Sequence, residues 1–330
     1  MSFVFPEASQ VTSMINERTH NENAFVTADL CPINATEYLD SPSQIQYDVI
    51  GATKGFTKPG VLGEDPDFVD QRSITTKTAT PLYFKEAIRI NEAQLCKMRM
   101  PGSENAERSQ QMIFRAVEQL NVRLNTLREV NALNALCGAI TVGEQTIEYP
   151  VQTATAAVSW DQVGHDIRAD LNEAVEKLQA TGSTEIIMIA DRSVYALLAK
   201  DEEFAGAMFG SDVARQLGAE GLARLLPDFL GMGITECRVS RQSYLDDAGN
   251  KVKFMPGDKV ILIGKNGQRI MDYASVKNAY TNTAGMFGVV QDHQSDALVP
   301  HVDIVAGLYG IPVIYQPNNV VCVTVLYEEP

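Results

Sequence analysis

Hydrophobic side chains at spacings of three and four residues mark the longest element of the chain. From Glu104 to Cys137 this spacing predicts one helix of about thirty residues, which Gly138 ends. The apolar stripe on this helix consists of Ile113, Val117, Leu120, Leu124, Leu127, Val130 and Leu133. Off the stripe lie charged residues that include Glu107, Arg108, Arg115, Glu118, Arg123 and Arg128. The stripe lasts only about three heptads, so coiled-coil pairing is the less favoured alternative.

Two extended segments precede this helix. Residues 45–51 alternate apolar and polar positions and residues 72–90 are rich in β-branched side chains, so both predict strands. Paired as a hairpin, arms of about fourteen residues reach roughly 45 Å, whereas a globule of this length has a radius of gyration of about 20 Å. An isolated two-stranded ribbon is marginal in water. The hairpin is therefore expected to rest on another copy of the chain.

The loop between these strands, residues 51–70, combines glycine, lysine and threonine in the way that phosphate-binding loops do. A P-loop places a lysine directly after the second glycine of its motif and then opens a helix. Here Phe56 takes the lysine position, and Pro59 and Pro66 prevent a helix from starting. The sequence therefore predicts no nucleotide site in this loop.

A second clear helix is predicted between Ser159 and Gly182. Ser159 and Gln162 have the spacing of a capping box, and Gly182 is expected to stop the helix. The predicted apolar face consists of Val163, Ile167, Leu171, Val175 and Leu178. His165 is expected on the solvated face of this helix.

The other segments mix short helices with strands. Short helices are predicted near residues 9–16 and 212–226 and after Asp191, which is expected to act as an N-cap. Strands are predicted within residues 138–151, 185–190, 233–264 and 317–329. Strands and helices do not alternate regularly, which indicates the α+β class.

The composition limits the partners. The 330 residues carry a net charge of -15, so the chain does not attract DNA or an anionic membrane by charge alone. No apolar run is long enough to span a membrane, and the N-terminus has no signal-peptide pattern. The five cysteines lack zinc-ligand spacing and are expected to be buried, reduced thiols in a cytoplasmic protein.

The chain carries no common catalytic motif. His301 and Asp303 lie on one side of a predicted strand and are two potential metal ligands, with Asp292 and His293 a few residues upstream. A third ligand is not evident, so no metal site and no cofactor are expected. The missing motifs argue against an enzyme, although an α+β enzyme with a site that has no linear motif stays open.

Three stretches together resemble a known family. They read NALNALCGAITVGEQTIEYPVQ, STEIIMIADRSVYALLAKDEEF and GMGITECRVSRQSYLDDAGNKVKFMPGDKVILIG. Their order, with Pro256, Gly257 and Asp258 before the last strand, resembles the major capsid proteins of tailed bacteriophages in the lambda-like branch. The resemblance is most specific over residues 126–265. It implies the Hong Kong 97-type fold.

The resemblance also implies a domain scheme with an N-terminal arm, an extended loop, a peripheral domain and an axial domain. The arm would be residues 1–44, the extended loop 45–85, the peripheral domain 86–158 with its spine helix at 104–137, the axial domain 159–300, and the returning strands 301–330. The implied function is self-assembly into hexamers and pentamers that form an icosahedral shell around packaged double-stranded DNA. An encapsulin-like shell around a protein cargo is the alternative.

The implied partners are further copies of the chain, a separate scaffold protein, a portal and a small decoration protein. The implied location is the virion, after assembly in the bacterial cytoplasm. Residues 51–70 would then form the tip of the extended loop on a neighbouring subunit. The residues expected to contact that subunit are Lys54, Phe56, Lys58, Asp65, Asp67, Phe68 and Asp70.

Overall fold

The computed structural model describes residues 7–17, 25–34, 44–51, 73–98, 103–143, 145–201, 204, 206, 211–246, 248–293 and 300–327. The chain divides into two compact units, each made of three separate segments. Unit 1 consists of Met1–Gln46, Thr78–Asn131 and Asp272–Val313. Unit 2 consists of Tyr47–Lys77, Ala132–Met271 and Ile314–Pro330. No helix in the described ranges is long and apolar enough to cross a membrane.

Helices and strands are mixed along the chain, which confirms the predicted α+β class. The helices are α1 (Ala8–Glu17), α2 (Glu92–Met98), α3 (Ser103–Leu136), α4 (Ile167–Gln179), α5 (Arg192–Lys200) and α6 (Ser211–Leu230). The first eight strands are β1 (Ile33–Asn34), β2 (Ile45–Ile50), β3 (Ile74–Ala79), β4 (Leu82–Ile90), β5 (Ala139–Val142), β6 (Gln145–Glu148), β7 (Gln152–Thr155) and β8 (Glu185–Asp191). The others are β9 (Ile234–Ser240), β10 (Ser243–Leu245), β11 (Lys251–Lys253), β12 (Lys259–Lys265), β13 (Met271–Ser275), β14 (Met286–His293), β15 (His301–Ile314) and β16 (Val320–Thr324).

Unit 1 is organised around the long strand β15. This strand pairs antiparallel with β14 on one side and with β4 on the other, and it also neighbours β13, which pairs with β1 in parallel. Alternate side chains of a strand point to opposite faces of its sheet. The even-numbered residues Val302, Ile304, Ala306 and Leu308 are fully buried, so this face of the sheet forms the core of unit 1.

Helix α1 packs on β14 at a glycine. The Thr12 hydroxyl donates to the Gly288 carbonyl (3.0 Å) and accepts from the Gly288 amide (3.1 Å). A Cβ atom at Gly288 would overlap Ile15 Cδ1 and lie 2.7 Å from Val11 Cγ1. Gly288 is therefore the residue that lets the helix approach the strand backbone.

The long helix α3 is confirmed within one residue at either end. Ile113, Val117, Leu120 and Leu124 of its predicted stripe are buried. Leu127 is only half-buried, however, and Arg128, which was expected on the charged side, is buried together with Glu129. At this point of the helix a polar side chain is buried where the apolar stripe was expected. Glu129 can be buried because it accepts hydrogen bonds from the amides of Val26 (2.9 Å) and Thr27 (3.2 Å) and from the Thr27 hydroxyl.

Unit 2 contains a five-stranded sheet in the order β7-β16-β12-β8-β9. Helices α4, α5 and α6 contribute buried apolar side chains to one core with this sheet. Trp160, Tyr195 and Leu222 are among the side chains buried in that core. Asp191 caps α5 as predicted, since its carboxylate accepts from the Ser193 amide (2.8 Å).

The predicted start of α4 is wrong. The helix begins at Ile167, and Asp166 is its N-cap, accepting from the Ala169 amide (2.9 Å). Gly164 has a left-handed φ of 91°, which prevents a helix from running through it. Val163, predicted on the buried face, is therefore fully exposed in the preceding turn.

Ser159, the first residue of the expected capping box, makes hydrogen bonds outside any helix. Ser159 donates its hydroxyl to Asp161 (2.6 Å) and accepts from the Tyr327 amide (3.3 Å). The neighbouring Trp160 amide donates to the Val325 carbonyl (2.9 Å). His165 is also not on a solvated helix face, because its Nε2 lies 2.6 Å from Asp201 Oδ2.

Three further expectations need correction. The second predicted arm contains two strands rather than one: β3 pairs with β2, whereas β4 belongs to the sheet of unit 1. The break falls after Thr80 because Pro81 cannot donate to a ladder. Helix α6 is longer than predicted, since two helical stretches meet at Gly218 (φ 63°). Among the cysteines, Cys96 is exposed rather than buried.

Candidate inter-subunit face and candidate metal centre

The seven predicted contact residues all lie between residues 52 and 72, outside the part of the chain that the structure describes. They are Lys54, Phe56, Lys58, Asp65, Asp67, Phe68 and Asp70. The base of the predicted hairpin is described and its two strands pair, with the Gly51 amide donating to the Ser73 carbonyl (2.8 Å). The Thr76 hydroxyl also donates to Asp48 (2.7 Å) across the ribbon. Ile74 on β3 is 64% exposed, so this base is poorly covered within one chain.

A second candidate surface lies on the sheet of unit 1, on the side opposite α1. We call it the outer face. It consists of Tyr83, Lys85, Ala87 and Arg89 on β4, His301, Asp303, Val305, Gly307 and Tyr309 on β15, and Phe287, Val289, Gln291 and His293 on β14. The strand registers place these odd-numbered side chains together. All four members on β4 are exposed.

One end of the outer face is aromatic. The ring of Tyr309 has edge contacts with Tyr83 (centroids 5.0 Å apart) and Phe287 (5.1 Å). Tyr280 stacks on Phe287 at 5.6 Å and accepts a hydrogen bond from Lys85 Nζ (2.9 Å). Tyr83 is 56% exposed. Exposed tyrosines beside cationic side chains are typical of protein–protein interfaces.

The other end of the outer face carries two histidines and an aspartate. His293 on β14 is the direct cross-strand partner of His301 on β15, and their rings lie 5.0 Å apart. Asp303 follows two residues later on the same face of β15, and His301 Nε2 is 3.8 Å from its Oδ2. One ligand atom from each of the three side chains lies within 4.8 Å of the other two. This arrangement is able to hold a metal ion.

Arg89 on β4 adds a positive charge to this cluster. Its Nε donates to Asp303 Oδ1 and its Nη2 donates to Oδ2, each at 2.9 Å. These bonds lower the pKa of Asp303 below its ordinary value, the charges of His301 and His293 act in the same direction, and partial burial opposes them. Asp303 is therefore a carboxylate at neutral pH, with its negative charge directed at Arg89 and the imidazoles.

All three residues were named from the sequence, but it was not predicted that they come together. His301 and Asp303 were recognised from their spacing, whereas the ligand role of His293 depends on the register between β14 and β15. His293 and His301 are separated by a connection of seven residues, which is too long to fix a register by turn type alone. The neighbouring acidic residue Asp292, which was considered upstream, is exposed on the opposite face of β14.

With these surfaces defined, comparison with known proteins identifies the family. The family model for phage major capsid protein E matches residues 10–325. The chain belongs to the phage major capsid protein E family. A search of curated proteins gives no significant match. Formation of a capsid shell is the function that this membership supports, and it favours the phage capsid over the cargo-shell alternative.

Solved structures support the fold. One crystal structure is described as the "putative capsid protein of prophage (E.coli CFT073)"; it is 16% identical, covers 97% of this chain and 99% of its own chain, and has a TM-score of 0.59. A phage-related protein from Bordetella bronchiseptica RB50 is 9% identical, covers 97% of both chains and has a TM-score of 0.53. These likenesses confirm the predicted Hong Kong 97-type capsid fold.

The family membership also indicates a structural role and a place in the virion. It confirms the resemblance drawn from the three sequence stretches around residues 126–265. Neither the extended-loop contacts nor the boundaries of the peripheral and axial domains are tested by these findings, so both stay predictions. The two compact units divide the chain after residues 46, 77, 131, 271 and 313.

Proposed function

We propose that this chain is the major head protein of a tailed bacteriophage. In this proposal it assembles into hexamers and pentamers, which build an icosahedral shell around double-stranded DNA. The observation that carries the proposal is the match of the capsid family model to residues 10–325, nearly the whole chain. The chain acts as a structural subunit and not as a catalyst.

Exposed strands and side chains support assembly as the purpose of the fold. The ribbon formed by β2 and β3 exposes Ile74, and the outer face exposes Tyr83 and Arg89. Stable shell contacts bury roughly 2,000 Å² or more, and they gain their hydrophobic stabilisation only when copies meet. We propose that residues 45–85 form the extended loop and that Lys54, Phe56, Lys58, Asp65, Asp67, Phe68 and Asp70 contact a neighbouring subunit.

The domain assignment is part of the same proposal. Residues 1–44 act as the N-terminal arm, and residues 86–158 form the peripheral domain around α3. Residues 159–300 supply most of the axial domain, and residues 301–330 return to the peripheral domain. The contacts between subunits must differ between five-fold and six-fold rings. Arms and loops adapt to such differences more easily than rigid domains do.

The charge of the chain fits a container for DNA. A net charge of -15 repels the phosphate backbone, so packaged DNA moves inside the shell without adhering to it. We propose a scaffold protein, a portal and a small decoration protein as further partners. Assembly takes place in the cytoplasm of the bacterial host.

Electron microscopy of the purified chain tests this function. The chain is produced alone and together with the genes that flank it, and both preparations are sized by analytical ultracentrifugation. We expect closed, regular shells of megadalton mass, formed efficiently only with the flanking genes. A chain that stays monomeric or dimeric in both preparations contradicts the proposal. Shells that form from the chain alone and contain one stoichiometric protein identify a cargo compartment instead.

A further inference from the structure

We propose that His293, His301 and Asp303 form a binding site for a divalent transition-metal ion of the zinc class. The site lies at one end of the outer face, where β14 and β15 pair. It does not depend on the proposed assembly, because all three residues belong to one unit of one chain. It departs from the expectation drawn from the sequence, in which no third ligand was evident.

The strand geometry brings the three ligands together. His293 and His301 are directly opposite each other on antiparallel strands, where Cβ atoms are about 5 Å apart. Asp303 is two residues along β15 from His301 and points to the same side. The three side chains are therefore neighbours on one face of the sheet, and their ligand atoms lie close to one another.

The distances require only small side-chain rotations. A tetrahedral zinc ion bonds imidazole nitrogen and carboxylate oxygen at about 2.0–2.2 Å, which puts its ligand atoms about 3.3 Å apart. His301 Nε2 and Asp303 Oδ2 are already 3.8 Å apart, and all three ligand atoms lie within 4.8 Å of one another. Closing the remaining gap does not require movement of a strand.

The donor types select the class of ion. Two imidazoles and one carboxylate favour Zn²⁺, Co²⁺, Ni²⁺ or Cu²⁺, whereas Mg²⁺ and Ca²⁺ are bound by sets of oxygen ligands. Three protein ligands leave a fourth position for water. The side chains of His301 and Asp303 are mostly buried, with exposures of 17% and 13%, so the site is partly shielded and still reachable from solvent.

Arg89 is the natural competitor for Asp303. Its guanidinium donates to both oxygens of that carboxylate, but a carboxylate has about four acceptor positions and can serve two cations. Oδ2 is the oxygen that faces His301, so the metal takes this oxygen while Arg89 Nε keeps Oδ1. The positive charge of Arg89 repels the ion, and its removal should therefore strengthen metal binding.

Protons compete for the same nitrogens. The charged and titratable groups of the cluster are His293 on β14, His301 and Asp303 on β15, and Arg89 on β4. A histidine binds a metal through an unprotonated ring nitrogen, so protons compete with the ion at any site of this kind. A cluster that served only as a proton switch would respond to pH in the same way, but it would not respond to metal at constant pH.

The test uses the whole chain, freed of metal with a chelator and titrated with Co²⁺ at pH 7.5 and then with Zn²⁺. Co²⁺ reports tetrahedral nitrogen and oxygen ligation by its visible absorption, and Zn²⁺ should displace it. We expect one ion per chain. His293→Ala and His301→Ala should each weaken binding by more than about tenfold, and Asp303→Asn should weaken it too.

Two further variants make the result specific. His165→Ala removes a histidine of unit 2, which lies beside Asp201, and should leave Co²⁺ affinity unchanged. Arg89→Gln should raise Co²⁺ affinity, a gain that misfolding does not produce. The proposal is overturned if Co²⁺ does not bind, if His301→Ala binds as tightly as the native chain, or if His165→Ala weakens binding equally.

Discussion

Glu129 is the buried carboxyl of α3 that holds the backbone at Val26 and Thr27. It accepts from the amides of Val26 and Thr27 and from the Thr27 hydroxyl. Glu129→Ala leaves these donors without an acceptor, and each buried unsatisfied group costs about 1–3 kcal/mol. We expect the variant to lose at least about 2 kcal/mol of unfolding free energy in urea titrations. Glu129→Gln keeps an acceptor oxygen and should lose less.

The same carboxyl predicts a pH dependence. Burial raises the pKa of Glu129 above its ordinary value of 4.5, although the bonds from Thr27 and Val26 and the charge of Arg128 oppose the rise. A raised pKa means that the folded chain holds this proton more strongly than the unfolded chain. Its stabilising effect is complete below pH 4.5 and is lost as the pH rises through the raised pKa.

Urea unfolding at several pH values checks this sign. Relative to Glu129→Gln, the native chain should lose stability as the pH increases above 4.5. Glu173→Gln is the control, because Glu173 is a largely exposed partner of Lys177 on α4. The interpretation fails if the difference between native chain and Glu129→Gln is constant with pH or has the opposite slope.

The absence of a side chain at Gly288 determines how closely α1 packs on β14. Gly288→Val should displace α1, because the new side chain occupies the space of Val11 and Ile15. We expect faster hydrogen exchange over Ala8–Glu17 and an unfolding free energy lower by about 1–3 kcal/mol. A matched rescue is Gly288→Ala combined with Ile15→Val, which removes the overlapping Cδ1 atom and should exchange more slowly than Gly288→Ala alone. Equal exchange in all of these chains contradicts the role given to Gly288.

Single residues were the hardest features to predict from the sequence. The stripe on α3 correctly gave Leu120 and Leu124 as buried, because their surroundings follow from helical spacing. It did not give the burial of Glu129, whose partner Thr27 is 102 residues away. The apolar face predicted for α4 wrongly included Val163, because the apolar pattern continues through Gly164 although the helix does not. Hydrophobic periodicity shows which side chains share one face of a helix. Whether a side chain is buried depends on the segment, often distant in sequence, that packs on that face.

At the scale of elements, Asp191 joins a helix to a strand. It caps α5 through the Ser193 amide and accepts from Lys253 Nζ on β11 at 2.6 Å. Burial favours a higher pKa for Asp191, but the hydrogen bonds from Lys253 and Ser193 outweigh it and lower the pKa below the ordinary value of 3.8. The carboxylate therefore contributes stability above pH 3.8, which is lost as the pH falls through the lowered value.

We expect Asp191→Ala to reduce the unfolding free energy by about 2–3 kcal/mol, since a cap alone is worth about 1 kcal/mol and the salt bridge is lost with it. Lys253→Met should cost less, because about half of the lysine side chain is exposed and the cap remains. Asp191→Asn keeps an acceptor for the cap and should fall between them. Thermal and urea unfolding of the three variants measures this order, and a larger loss for Lys253→Met contradicts it.

Most elements follow from local sequence. The sequence predicted the ends of α3, the strand β8, the cap of α5 and the terminal strand β16. Each of these features is bounded by a glycine, a proline or a capping side chain nearby in the sequence. The partition of residues 72–90 into β3 and β4 was not predicted. Pro81 marks the break, and β3 is richer in β-branched residues than β4, but neither segment specifies its partner strand, β2 or β15.

At the scale of the molecule, the fold was predicted from the order of elements and the candidate metal centre was not. The long helix, the hairpin at 139–148 and the strands up to Lys265 appear in the order of the capsid family, and this order survives very low sequence identity. The metal centre depends on the register between β14 and β15, a contact between strands that no local pattern in either strand specifies.

The segment proposed as the extended loop gives the prediction that separates folding from assembly. Deletion of residues 54–68, joined by a short glycine-rich turn, should leave a folded subunit because both compact units keep their sheets. We expect unchanged far-UV circular dichroism and cooperative unfolding, together with loss of shells in electron microscopy. Replacing Lys54, Lys58, Asp65 and Asp67 by serine in the full-length loop is the matched control for charge, and it should weaken assembly without abolishing it. An unfolded deletion variant, or one that still forms closed shells, contradicts the assignment of this loop to the contact between subunits.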